Sequence, residues 1–109
     1  MKPSNHKIKT TQNDIVYLLN DNENTASVKR IHGHGNIIIP RMITYRSKNY
    51  IITTICSKAL SSLEIYSVEF PEDSGLLKIE TNAFYICPFT TFSIPASVSE
   101  LQESWMLNG

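Results

Sequence analysis

The chain has 109 residues, 41% of them apolar, with ten basic and ten acidic side chains and a pI near 6.8. That is the length of one domain, and one that buries only roughly 60–70% of the surface its unfolded chain exposes. The balanced charge and the lack of a basic stripe argue against a nucleic-acid partner, and no run approaches the ~20 apolar residues of a membrane span.

Residues 1–13 are polar and without periodicity, which predicts a disordered tail. This start carries a few positive charges but no apolar block behind them, so it does not read as a signal peptide. Residues 14–109 then read as a single domain. Its strand-rich beginning covers 14–54. Asp14 to Leu19 is rich in β-formers, Asn20-Asp21-Asn22-Glu23-Asn24 is a strong turn signal, and Thr25 to Ile31 resumes as an extended segment. The three pieces predict a β-hairpin. After a loop at His32–Asn36, Ile37-Ile38-Ile39 reads as a short strand ended by Pro40, which has no N–H for a ladder. Met42–Tyr45 and Tyr50–Ile55, flanking Arg46-Ser47-Lys48-Asn49, predict a second hairpin.

Residues 55–109 repeat. Ile55 to Ile79, Ala59 to Ala83, and Phe70-Pro71 to Ile94-Pro95 are each separated by 24 residues. Ile65 matches Phe89, Val68 matches Phe92, and Leu60 matches Phe84. A shorter third pass begins at Leu101, with Trp105-Met106 where Ala83-Phe84 stood, and reads as a truncated unit. Ile39-Pro40 matches Phe70-Pro71 upstream. Val68, Phe70, Phe92 and Ile94 alternate with polar residues, the mark of a strand with one buried face. Asn82 and Ser104 read as N-caps, and Pro88 limits the helix after Asn82 to about one turn. One-turn helices are therefore expected at about Ser57–Ser61 and Asn82–Ile86. One such unit cannot bury its apolar face alone, whereas stacked units can, which makes a solenoid.

Ile79, Ala83, Phe84, Cys87, Phe89, Phe92, Ile94, Pro95, Val98 and Leu101, in that order, resemble the BspA-like class of leucine-rich repeats. Ile55, Ala59, Leu60, Ile65, Val68, Phe70 and Pro71 follow the same pattern less closely. The resemblance covers about 55–109. The sequence departs from the class where glycine usually follows isoleucine: Cys56, Glu80 and Gln102 stand there. The resemblance implies a β-rich (α+β) leucine-rich-repeat solenoid with short parallel strands. It also implies a surface or secreted protein of the adhesion type, as found in mucosal bacteria and parasitic protists.

No residue pattern indicates catalysis. There is no G-x-S-x-G, the carboxylates are scattered over predicted surface, and acid–base chemistry needs two of them in one cleft. His32-Gly33-His34 lacks further ligands at metal spacing and reads as a loop. Cys56 and Cys87 fall at non-equivalent positions of the repeat and read as small buried thiols rather than a disulfide. No enzyme activity, cofactor or metal is expected. The surface with a functional claim is the outward strand face. Strands stacked at about 4.8 Å set Ile38, Glu69 and Ser93 in one column and Asn36, Ser67 and Thr91 in another. These six residues are the candidate partner-binding face of a monomeric, non-enzymatic module for protein or glycan, such as a host surface molecule. The alternative is a structural spacer without a binding site of its own.

Overall fold

The computed structural model describes residues 7–61, 64–86 and 93–105. Among these every regular element is a strand: β1 (Lys7–Gln12), β2 (Ile15–Asn20), β3 (Thr25–Ile31), β4 (Gly35–Ile38), β5 (Met42–Tyr45), β6 (Lys48–Ile55), β7 (Leu60–Ser61), β8 (Ile65–Glu69), β9 (Lys78–Ile79), β10 (Phe84–Ile86) and β11 (Glu100–Leu101). The largest sheet runs in the order β1-β2-β3-β6-β9-β11, with β5 also paired to β6. Its start is antiparallel and local in sequence. Along the path β3-β6-β9-β11 it is parallel, and each new strand is delivered by one further turn of chain, with β5 antiparallel beside β6. Two smaller parallel pairs, β7 with β10 and β4 with β8, form other sides of the coil.

Two tight turns set the antiparallel part. Asn13 and Asp14 (φ 51° and 66°) join β1 to β2, and Arg46 and Ser47 (φ 53° and 67°) join β5 to β6. Positive φ at both central residues is the type I′ geometry, whose twist suits a two-residue hairpin. Asparagine and aspartate tolerate that region best, which explains the first turn. The second hairpin was expected with a four-residue turn, but β6 begins at Lys48, opposite Tyr45. The tail expected over 1–13 is corrected from Lys7 onward. Lys7–Gln12 pairs residue for residue with β2, and Ile8 packs against the core.

The 24-residue spacing is the stacking period. Thr54 pairs with Lys78 and Ile55 with Ile79, then Lys78 with Glu100 and Ile79 with Leu101 after the shorter third pass. Val28, Ile55 and Ile79 are fully buried in one column, and Leu101 continues it at 43% exposure. The corners repeat as well. The Ala59 N–H donates to the Cys56 carbonyl, and the Ala83 N–H to that of Glu80. The third residue of each corner is left-handed: Lys58 at 59°, Asn82 at 61°, and Ser104 in the next pass at 57°.

This geometry overturns the helices expected at Ser57–Ser61 and Asn82–Ile86. An N-cap residue has extended φ, whereas Asn82 and Ser104 sit at the left-handed position of a turn. Strands β7 and β10 follow the turns at Lys58 and Asn82. In β10, Phe84, Tyr85 and Ile86 are aromatic and β-branched, types that fit a pleated strand better than a helix. The inward place expected for Ile94 is also corrected, since Ile94 is 37% exposed. Phe89, Phe92, Cys87 and Pro88, on which part of the repeat reading rests, lie outside the described residues.

Glu80 and Gln102, which follow Ile79 and Leu101 in the column, each bond back to the preceding turn. Glu80 Oε1 accepts the Ser57 N–H at 3.0 Å, and Gln102 Oε1 accepts the Thr81 N–H at 3.1 Å. Each side chain reaches back one turn and satisfies a corner donor of the preceding unit. Stacking is thereby held by apolar burial inside and by polar bonds between corners outside. Near the first hairpins, the Tyr50 hydroxyl and the Lys48 ammonium both reach Asp21 Oδ1, at 3.0 and 2.6 Å. Burial of the ring, followed by this bond, pushes the Tyr50 pKa up; the bond to Asp21 raises that of Lys48.

Candidate functional site

The outward face is built by β4 and β8. Their parallel register sets Asn36 opposite Ser67, Ile37 opposite Val68, and Ile38 opposite Glu69. Period-two alternation turns Val68 inward, where it is buried, with Ile37 packed against the same core. Asn36, Ile38 and Glu69 are exposed, and Ser67 is half-buried. The Ser67 hydroxyl donates to Asn36 Oδ1 at 2.8 Å, and the Ile39 N–H donates to the Glu69 carbonyl at 2.9 Å. Four of the six candidate residues are therefore neighbours on two paired strands. Ser93 is exposed but belongs to no described strand, and Thr91 lies outside the described residues.

Ser93 meets the face across an open groove of about 700 Å³. One wall is the end of β8 and the turn beyond it: Ser67, Glu69, Phe70 and Pro71. The other is Ser93, Ile94 and Pro95. The two walls are successive copies of one corner. The Ser74 N–H donates to the Pro71 carbonyl, and the Val98 N–H donates to the Pro95 carbonyl, each at 3.1 Å. The Ser97 hydroxyl bonds the Leu76 carbonyl at 2.6 Å and ties the second corner to the first unit.

One exposed residue of this face was missed from sequence. Gly35 pairs with Ile65 and Asn36 with Ser67, so Tyr66 is an extra residue in β8. A bulge re-aims the side chain it carries, and Tyr66 is 66% exposed, comparable to Ile38 at 65%. With His34, Gly35 and Glu64 it lines a shallow cleft of about 440 Å³. The signal was present: the apolar positions Ile65 and Val68 are three apart, and period two cannot accommodate that without an inserted residue.

The arrangement offers shape and polar contacts. Among the described residues no group of three His, Cys, Asp or Glu side chains stands close enough to hold a metal ion. Glu80 is engaged with Ser57 and lies 3.8 Å from Lys78, and Glu100 lies 4.0 Å from the same ammonium. His32 and His34 are exposed, and Cys56 is half-buried.

No family model matches the chain, and no curated protein matches it. Among solved structures, a leucine-rich cell surface protein from Faecalibacterium prausnitzii A2-165 superposes on 92% of this chain, with a TM-score of 0.66 and 21% sequence identity. This chain spans 28% of the length of that protein. At such identity the likeness is one of fold, that of a β-rich leucine-rich-repeat coil with parallel strands.

Proposed function

We propose that the chain is a non-enzymatic binding module that recognises a protein partner through the β4–β8 face and the adjoining groove, in the manner of the adhesion-type BspA-like repeats it resembles. The observation that carries this reading is the contrast between the two sides of β4 and β8. Their inner side chains are packed, while the outer side exposes two large apolar residues, Ile38 and Tyr66, beside polar Asn36, Ser67 and Glu69. Large apolar side chains flanked by hydrogen-bonding groups are the composition of an interface centre, and tyrosine is among the residues that most often dominate binding energy. Repeat coils bind along extended faces of this kind. A place at the cell surface is part of this proposal, supported by the likeness to a leucine-rich cell surface protein.

The test is capture of partners from host-cell and own-cell lysates by the wild-type chain and by the variant Ile38→Ala/Glu69→Ala/Ser93→Ala. All three residues are exposed, so the variant keeps its fold, which circular dichroism verifies. Saturable partners lost in the variant support the face. Partners captured equally by both proteins would place recognition elsewhere, and a wild-type chain with no saturable partner would favour a spacer role.

A further inference from the structure

The net charge of zero conceals a strong separation along the chain. Nine of the ten Lys and Arg residues, but only three of the ten acidic ones, lie at or before Lys58, a net charge of +6. From Ala59 onward there are one basic and seven acidic residues, a net charge of −6. The fold preserves this separation in space, because the strands of the large sheet stand in chain order from β1 to β11. The molecule is 44 Å long and about 25 Å across.

The charges at the two ends are mostly left to the solvent. Lys9, Lys29 and Arg30 are exposed on β1 and β3, and among the described residues no carboxylate forms an ion pair with them. Lys29 occupies a bulge, since Val16 pairs with Arg30 and Tyr17 with Val28. At the other end Glu100 and Glu103 are exposed. Lys78, the one cation there, is close to both Glu80 and Glu100. Arg41 and Asp73, at 4.0 Å, meet where the two regions adjoin.

We propose that the chain associates with a second copy of itself, the basic end of one molecule, around Lys9, Lys29 and Arg30, against the acidic end of the next, around the exposed Glu100 and Glu103 at β11. The partner with complementary charge is already present in this sequence. Opposed patches attract across roughly 10 Å in 0.1 M salt and about 30 Å in 0.01 M salt, which steers encounter and fixes orientation. A contact between unlike ends is heterologous, so it closes into a ring or extends into a filament rather than forming a self-complementary pair. This inference does not depend on the β4–β8 face as a partner site.

Sedimentation velocity over a concentration series tests it, in about 20 mM and about 500 mM sodium chloride, the latter a regime where the screening length is only a few Å. Association at low salt that weakens at least about tenfold at high salt is expected. Two charge-reversed variants complete the test: Lys9→Glu/Lys29→Glu/Arg30→Glu, and Glu100→Lys/Glu103→Lys. Each is expected to be monomeric alone, and an equimolar mixture is expected to associate again. Ile38, Glu69 and Ser93 are untouched in both, so loss of self-association remains separate from loss of partner capture. A wild-type chain that stays monomeric at low salt overturns the proposal. So does association that survives high salt, which would place the contact on the apolar Ile38 and Tyr66 surface, and so does a mixture that stays monomeric.

Discussion

The column formed by Val28, Ile55, Ile79 and Leu101 gives a graded test of the stacked units. Ile55 and Ile79 occupy the same register position in consecutive passes and are both fully buried, while Leu101 occupies it in the next pass at 43% exposure. Ile79→Ala removes three carbons, which at about 0.8 kcal/mol each costs about 2.4 kcal/mol in transfer free energy. The enclosed cavity adds to this, for a total of about 3–4 kcal/mol. Ile55→Ala is expected to cost the same. Leu101→Ala loses only a little over half of the transfer contribution and leaves a dent open to water, so about 1–1.5 kcal/mol is expected. Equilibrium urea unfolding measures all three as shifts in midpoint at unchanged slope. A loss of 3–4 kcal/mol is tolerable for a domain whose stability is about 5–15 kcal/mol. A Leu101→Ala cost equal to that of Ile79→Ala, or an Ile79→Ala cost below about 1 kcal/mol, would refute the shared column.

Glu80→Ala removes the acceptor of the Ser57 N–H and is expected to cost about 1 kcal/mol. Glu80→Gln keeps a carbonyl acceptor, as Gln102 does naturally, and is expected to recover most of that loss in the same denaturation assay. Asn82→Gly is expected to be neutral or stabilising by up to about 1 kcal/mol, because glycine accepts positive φ without strain; Asn82→Val is expected to lose about 1–2 kcal/mol or more. A glycine variant as unstable as the valine one would contradict the left-handed corner. Burial pushes the Tyr17 pKa up to about 12, from about 10. Below pH 10 the phenol is neutral in both states and stability is unaffected by it. Between pH 10 and 12 the unfolded chain ionises first, so stability falls across that window, by roughly 2–3 kcal/mol at most. Unfolding followed across that range should show the fall in the wild type and a shallower one in Tyr17→Phe; identical slopes would contradict it.

Much of the coil was readable because two local signals agreed. The period-two alternation of Val68 and Phe70 against Ser67 and Glu69 defined a strand. The recurrence of Pro40 and Pro71 after their apolar runs fixed which residues of β4 and β8 face each other. The corner conformations were not readable, because Asn82 before Ala83-Phe84 suits both a helix cap and a left-handed turn. Pairing with the neighbouring turns of chain decides between them: the Asn82 N–H bonds the Ser104 carbonyl, and its carbonyl accepts the Lys58 N–H, both at 2.8 Å. Such bonds span 22 and 24 residues and have no local signature. Glu80 and Gln102 looked like departures from a pattern because the donors they satisfy belong to the preceding unit. Tyr66 was hidden for a different reason. The alternation was read only from Ser67 to Phe70, and the bulge that turns the ring outward lies just before it. Lys7–Gln12, polar and short, gains its structure from β2, whose inward residues need a neighbour on that side.

Cross-linking bears most directly on the claim that the β4–β8 face is the recognition surface. A photoreactive residue placed at position 66, 38 or 93 would be compared with one at position 30, on the outer surface of β3. The account predicts saturable covalent capture of the same partner protein from positions 38, 66 and 93, and little from position 30. Equal capture from all four positions, or capture from position 30 alone, would contradict it.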